Sequence, residues 1–475
     1  MKPTFRLAIV ALSLPAWSLP LPSVSALFIS ALPSTLVPSA QAADAPYIAV
    51  GSAKTKKTVI AFPQIIANGG DKGTAGEIAK IVTDDLNFMD LFRFLPESAF
   101  VEKPGAGINL DQFKLSDWTS IQAEFLIKAS VETQGRNVSL EAHVYDTFGS
   151  KQILAKRLVG SAGDVRTVAH TLANNIVEAL TGLPGIFLTK IAMSCDRTGK
   201  KEIYTMDFDG TDVKQVTRHR SISFAPAWSP DGTRIAYSLY TKHTGNIKNI
   251  DLYEFNFADN TVRMLSNRKG INSGASYSPD GNSIALTMSF LGNPEIFTLT
   301  PGSAQVTRVT KSFGFDVDPS WAPDGKRMAF VSSRSGQPMV FSQNADGTNT
   351  KRLTYAGRYN ATPSWSPRDN KIAFAGDIDH HFDVFLMNPD GTNIERLTKD
   401  QGNNEDPNFS PDGNFVTFSS NRAGNQNIYV MNVDGTFVKR LTFGLGNCVS
   451  PKWSSPPKNT IPAAVPPSKT TGAVQ

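Results

Sequence analysis

Few residues of this chain are suited to covalent or metal chemistry. Two cysteines, Cys195 and Cys448, could form one disulfide, and six histidines could bind metal: His143, His170, His219, His243, His380 and His381. The histidines are scattered. Only His380 and His381 adjoin, in a stretch that reads as a turn between strands, where consecutive side chains diverge; a solvated loop fits them better than a metal site. Aspartates recur in Pro-Asp-Gly and Asp-Gly-Thr triplets that have something of a calcium loop. Proline fixes φ there and glycine supplies a positive φ, so the triplets read as tight turns. No Gly-x-Ser-x-Gly elbow, Gly-x-Gly-x-x-Gly, P-loop or His-Glu-x-x-His occurs. The expectation is a protein that is not an enzyme and whose function lies in a surface.

The elements that build that surface come from a repeat. "WSPDG" starts at Trp228, "YSPDG" at Tyr277, "WAPDG" at Trp321, "WSPRDN" at Trp365, "FSPDG" at Phe409 and "WSS" at Trp453, at steps of 49 and then 44 residues. Val216-Thr217, Leu265-Ser266, Val309-Thr310, Leu353-Thr354, Leu397-Thr398 and Leu441-Thr442 keep the same rhythm. Each unit reads as four short antiparallel strands: one before the Pro-Asp-Gly turn, an apolar run such as "IAFAG", a third such as "DVFLMN", and, after Asp-Gly-Thr, a fourth ending in "RLT". A four-stranded sheet cannot bury both faces alone, so repeated units stack as propeller blades.

The ends of the repeat complete the count. Residues 190–195, "KIAMSC", match the second strand of the other units, and no first strand precedes them. Residues 447–454 are a first strand with nothing after it. Joined, the two fragments make a sixth blade from both chain ends. Folding each unit about its Pro-Asp-Gly turn sets Asn404 opposite Ser420, and the repeat carries that pair onto Cys448 and Cys195. The two cysteines should face each other within one residue of register, as a disulfide or as two buried thiols.

If the first strand of each blade is innermost, its start rims the central channel. Those positions are Ser223-Phe224, Asn272-Ser273, Asp316-Val317-Asp318, Asn360-Ala361-Thr362 and Asn404-Glu405-Asp406. This polar, partly acidic ring could dock a partner's loop or peptide, or hold a cation such as calcium. Simple solvation of strand ends is the plainer alternative.

Ahead of the repeat, residues 43–182 read as a small α/β domain with a partly antiparallel sheet. "TVIAFPQI" is a strand, residues 73–95 begin as an amphipathic helix, and "AEFLIKASVET", "NVSLEAHVYDT" and "QILAKRLVG" alternate as strands. A second helix starts at Asp164 and stops at Gly182. Residues 1–42 have a basic start, apolar stretches and the small-x-small site Ala40-Gln41-Ala42. They read as a secretory signal peptide, interrupted by Pro15, Pro20 and Pro22, rather than a retained anchor. The propeller is placed at 186–455 and a disordered proline-rich tail at 456–475. A net charge of +5 over 475 residues is mild. With no basic stripe interleaved with aromatics, no nucleic-acid partner is expected.

The domain order and six-unit count resemble the TolB family, the periplasmic component of Tol–Pal envelope systems. The resemblance covers essentially the whole chain after residue 42. It implies a periplasmic, non-enzymatic and monomeric scaffold, with Pal bound at the propeller mouth and TolA engaged through the amino-terminal segment, here Ala43, Asp44, Ala45, Pro46, Tyr47 and Ile48. It further implies a role in outer-membrane integrity and envelope constriction during division. The last unit lacks its Pro-Asp-Gly, as a closing strand would, and the tail after Pro456 is extra. The cysteine pair is not implied by the family. A propeller enzyme or lectin acting on envelope polysaccharide through a channel cation is the alternative. Its only support is Asp316, Asp318, Glu405 and Asp406, with no histidine among them.

Overall fold

The computed structural model describes residues 56–69, 71–102, 106–303 and 305–457. The expected signal peptide, the segment Ala43–Ile48 and nearly all of the proline-rich tail lie outside the described residues. Among the described residues no helix is long and apolar enough to cross a membrane.

The amino-terminal domain is built on strands β1 (Thr58–Ala61), β2 (Ile66–Asn68), β3 (Phe92–Phe94), β4 (Phe125–Gln134), β5 (Asn137–Asp146) and β6 (Lys151–Ser161). The path runs β3-β1-β4-β5-β6, with β1 parallel to β3 and β4 and the long β4-β5-β6 meander antiparallel. Helix α1 (Lys72–Phe88) starts where Asp71 accepts from the Thr74 backbone N–H at 3.0 Å and the Thr74 hydroxyl at 2.7 Å. A short helix α2 (Leu115–Thr119) seats Trp118 on the other sheet face, against Leu126 and Tyr145. Helix α3 (Val165–Thr181) ends at Gly182, whose φ of 70° closes the last turn as a side-chain-bearing residue rarely would. Ile78, Val82 and Leu86 of α1 and Val168, Leu172 and Ile176 of α3 bury against Ile127, Leu140 and Val144 of the sheet.

Six four-stranded sheets follow. Five are continuous in the chain, with inner strands Ser223–Trp228, Asn272–Tyr277, Asp316–Trp321, Asn360–Trp365 and Asn404–Phe409. The sixth takes its inner strand, Cys448–Trp453, from the far end of the repeat and its other three strands from Lys190–Cys195, Glu202–Asp207 and Lys214–Gln215. Cys448 pairs directly with Cys195, and the two are disulfide-bonded across 253 residues of chain.

The repeated residues do specific work between blades. The indole N–H of Trp228 donates to Lys452 O at 3.0 Å, and that of Trp321 to Ser276 O at 3.0 Å, so each conserves a link to the preceding inner strand. The threonine of the "LT" marker accepts from the third strand of its own blade: Ile203 N–H to Thr217, Ile296 to Thr310, Val340 to Thr354, Val384 to Thr398 and Ile428 to Thr442, at 2.8–3.0 Å. Where a carboxylate stands one residue before that N–H, the same hydroxyl donates to it, to Glu202 at 2.6 Å, Glu295 at 2.8 Å and Asp383 at 2.6 Å. These carboxylates are essentially excluded from solvent. Leaving one unpaired would cost more than the roughly 1 kcal/mol net that such a bond contributes.

The amino-terminal domain sits on the face carrying the Pro-Asp-Gly and Asp-Gly-Thr turns. Phe88 at the end of α1 meets Phe208, Phe415 and Phe437 with ring centroids 5.1, 5.1 and 5.7 Å apart. All three partners flank such turns. Arg166 of α3 reaches Asp209 at 2.8 Å and the Thr211 hydroxyl at 2.7 Å in the turn of the closing blade. One apolar core therefore runs from the sheet through α1 and α3 into the fifth and closing blades. Every inner strand begins at the opposite face.

Candidate functional site

The six inner strands abut one another around the axis and share one irregularity. Their third residues, Ala225, Gly274, Asp318, Thr362, Asp406 and Ser450, all have φ between 46° and 64°. Five of the six are not glycine, and Thr362 is β-branched, for which this conformation is costly. Proline follows in five of the units and holds the chain extended beyond the kink. The ladder to the second strand slips at each of these points, for example between Phe224 and Ala227 and between Glu405 and Asn408. Such a bulge turns two successive residues to the same side. The second and third residues of each inner strand are accordingly half-buried and face the bore.

That geometry sorts the expected rim residues. Phe224, Ser273, Val317, Ala361 and Glu405 form the outer level, and Asp318, Thr362 and Asp406 the level beneath, with Gly274 and Ser450 completing it. The first residues do not belong there. Ser223, Asn272, Asp316, Asn360 and Asn404 are buried at 0–3% exposure, because a strand's alternation turns them away from the bore and into the seams between sheets. Ser223 donates to Glu202 at 3.2 Å, and Asn404 to Asp383 at 2.9 Å, each in the preceding blade. Asn272 donates to Ile250 O at 2.8 Å and Asn360 to Ala356 O at 2.9 Å, while Asp316 accepts from Arg334 at 2.8 Å. The expectation that these five offer contact groups at the mouth is corrected: they tie the structure together.

The bore is electrostatically uneven. Asp318 and Asp406 lie on nearby walls, and Lys452 of the closing strand joins them one level deeper, where the other blades carry Ala227, Ser276, Ser320, Ser364 and Asn408. Removal from water, reinforced by the Asp406 carboxylate and opposed by Lys452, pushes the Asp318 carboxyl up to about 6. Burial, then Asp406, raises Glu405. Burial lowers the Lys452 ammonium against the pull of Asp406 and Asp318. The Asp406 carboxylate accepts from the Ser450 N–H at 3.0 Å and the Ser450 hydroxyl at 3.2 Å. The Thr362 hydroxyl is buried in the bore with no partner among the described residues.

Around the mouth stands a ring of apolar side chains. Ile222, Leu291, Phe313, Tyr355 and Phe443 all lie in loops on this face, and Phe313 is fully exposed. Two are braced from below: the Arg352 guanidinium lies 4.7 Å from the Tyr355 ring and that of Arg440 4.6 Å from Phe443. Reading the sequence for polar rim residues passed over these. For Ile222, Phe313, Tyr355 and Phe443 the signal is an apolar residue one to five positions after the "LT" marker; Leu291 lies instead in the hairpin between the second and third strands of its blade.

Elsewhere, His380 sits in a turn with φ 68° and its Nδ1 lies 2.8 Å from Arg358 Nη2, while His381 opens the following strand. No group of three or more His, Cys, Asp or Glu side chains suited to a metal ion occurs among the described residues. Cys195 and Cys448 are held within the core at 0% exposure, away from the mouth's surface.

Known proteins share this arrangement. The TolB amino-terminal domain family matches residues 46–153, and the TolB beta propeller domain family matches 177–384 and 362–465. The Tol-Pal system protein TolB of Desulfosudis oleivorans is 38% identical over 282 residues, 58% of this chain and 63% of that protein. The protein TolB homolog of Chlorobium luteolum is 35% identical over 280 residues, 59% of this chain and 62% of that protein. Each of these alignments thus spans less than two thirds of the relative's own length. The crystal structure of TolB from Acinetobacter baumannii superposes with a TM-score of 0.73 at 27% identity, covering 84% of this chain and 97% of that one.

Proposed function

This chain belongs to the TolB family, and on that premise we propose that it is a non-enzymatic scaffold of a Tol–Pal system in the periplasm. In this reading the propeller mouth docks the Pal lipoprotein and the segment Ala43–Ile48 engages TolA, in the service of outer-membrane integrity and envelope constriction at division. The names of the relatives support membership of that system. The observation that carries the docking site is the ring of exposed Leu291, Phe313, Tyr355 and Phe443 around a bore bearing Asp318, Glu405 and Asp406. Apolar side chains gathered on one face around a polar cleft are what a protein contact requires. The strained bulges that turn paired residues into the bore would otherwise be a stability cost without return.

The test is calorimetric titration of the mature protein with the soluble domain of Pal from the same organism, with and without calcium. Saturable one-to-one binding that the bore and ring variants weaken is the expected result. Absence of binding in both conditions would overturn the reading. A calcium-dependent affinity would show that the cation takes part in docking.

A further inference from the structure

The mouth is not equivalent around its circumference. In four of the six blades the cations on this face are spread one to a loop, with Arg334 paired to Asp316, Arg358 near Asp377 and Arg422 bonded to Asn404, while Lys311 and Lys399 are exposed. The loops of the closing and first blades differ. Arg197 and Lys200 come from the closing blade, Arg218 and Arg220 from the loop that leads out of it, and Lys242 and Lys248 from the hairpin of the first blade. All six are exposed, and none forms an ion pair among the described residues. Lys269, on the loop entering the second blade, extends the row.

These segments are far apart in sequence and joined in space. Ser223 N donates to Lys201 O at 2.8 Å, and Tyr240 N to Ile222 O at 2.9 Å, which fixes the three loops side by side. On its other flank the hairpin is tied to the next loop by Ile250 N to Gly270 O at 3.1 Å and by Gly270 N to Asn249 Oδ1 at 2.6 Å. The hairpin itself, Arg234–His243 and Ile247–Asn256, has strands of ten residues. It holds the extra length in the one repeat step of 49. The carboxylates nearby are turned inward. Asp196 accepts from Asn447, Glu202 from Thr217 and the Arg220 N–H, and Asp251 from Thr241 and Asn249. Seven exposed cations thus stand against three carboxylates that are engaged in internal hydrogen bonds, and the arc keeps a net positive charge.

Between its loops the arc holds an open cleft of about 520 Å³, walled by His219, Leu239, Tyr253 and Asp251. A concave, partly apolar hollow flanked by cations admits a side chain of a protein, whereas a flat lipid surface cannot enter it. We propose that this arc receives an acidic face of the partner docked at the mouth, so that the partner sits off-centre, toward the closing and first blades. The inference rests on the reading of the mouth as the docking face and adds to it the partner's charge and orientation. Unpaired surface charges of this kind speed encounter and set register, and they are screened by salt over about 8–10 Å.

The test replaces Arg218, Arg220 and Lys242 together by Gln, and separately by Glu, and titrates each variant with the Pal soluble domain at low and physiological salt. Wild-type affinity should fall with salt. The Gln variant should bind on the order of tenfold more weakly at low salt with a flattened salt dependence, the Glu variant more weakly still, and both should melt as wild type does. Wild-type affinity and salt dependence in both variants would overturn the arc while leaving docking at the mouth intact. If the wild-type protein does not bind the Pal domain at all, the docking reading fails and this inference with it. Sedimentation with phosphatidylglycerol vesicles that the variants abolish, alongside unchanged Pal binding, would reassign the arc to a membrane and overturn the proposal.

Discussion

Replacing Asp318 by Asn should stabilise the folded protein at pH 8 and weaken its binding. Asp318 is half-buried in the bore, and its carboxyl is pushed up to about 6, mainly by loss of water and then by Asp406. A model carboxyl titrates near 3.8. The difference of about two units corresponds to about 3 kcal/mol by which the ionised group disfavours the folded state, at 1.36 kcal/mol per unit. Water in the bore and the loss of an attraction to Lys452 reduce the gain from removing the charge, so about 2 kcal/mol is the expected figure at pH 8. The sign follows from linkage. A carboxyl raised on folding binds its proton more tightly in the native state, so its contribution is most favourable below about pH 4 and is lost as pH rises through about 6. The advantage of the Asn variant should therefore shrink below about 1 kcal/mol at pH 4. Differential scanning calorimetry at the two pH values measures this as a Tm gain of a few degrees at pH 8 that nearly vanishes at pH 4. Asp85, also raised to about 6, titrates in both proteins and cancels in the comparison. An Asn variant that is less stable at pH 8, or shifted equally at both pH values, would refute the account of Asp318 as an ionised group held in place at a cost. Natural proteins keep such groups where binding needs them, and the same variant should lose affinity for the Pal domain.

Other perturbations separate the structural from the recognition roles. Phe313→Ser with Phe443→Ser should weaken Pal binding by about tenfold or more at unchanged Tm; calorimetric titration reads it, and a fall in Tm without loss of binding would contradict the exposed ring's assignment. Phe88→Ala removes the ring that touches three turns of the propeller and should cost about 3–5 kcal/mol. It should also split one thermal transition into two, and a single unchanged transition would show that the domains are coupled some other way. Cys195→Ser with Cys448→Ser removes a covalent link across 253 residues. Up to about 5 kcal/mol of stability should go with it, seen as a lowered urea midpoint that reductant reproduces in the wild type. A midpoint that neither change moves would mean that the ring is closed by packing alone.

The propeller was legible because its signals repeat. Two markers at one spacing give blade number, strand order and the pairing of Cys448 with Cys195 without reference to any single residue's environment. The amino-terminal domain was legible in outline from alternation and helical period, but the three-residue β3 and five-residue α2 are too short to have a period. The bore was legible only by half. Position at the start of the inner strand puts Asp316, Val317 and Asp318 together on the rim; the positive φ at Asp318 turns Val317 and Asp318 to the bore and leaves Asp316 in the seam. The bulge is carried by Asp, Thr, Ala and Ser as well as Gly, so composition does not announce it. The basic arc was invisible for a different reason. Arg197, Arg218 and Lys242 belong to three segments, each mildly charged, and only the closure of the ring puts them together.

That closure also orders events in time. The strand Lys190–Cys195 is almost wholly buried in the finished molecule, yet its partner Cys448 lies 253 residues further on. A chain that emerges amino terminus first leaves the early strand waiting for the late one across those 253 residues, with an apolar edge open to other chains and an unpaired thiol at its end. The amino-terminal domain is complete before this strand emerges, and Ile191, Met193 and Cys195 pack into the same core as α3 and the Phe187–Phe208 pair. A domain placed first in the chain thus gives the side chains of the unfinished blade a core to pack against before the closing strand arrives.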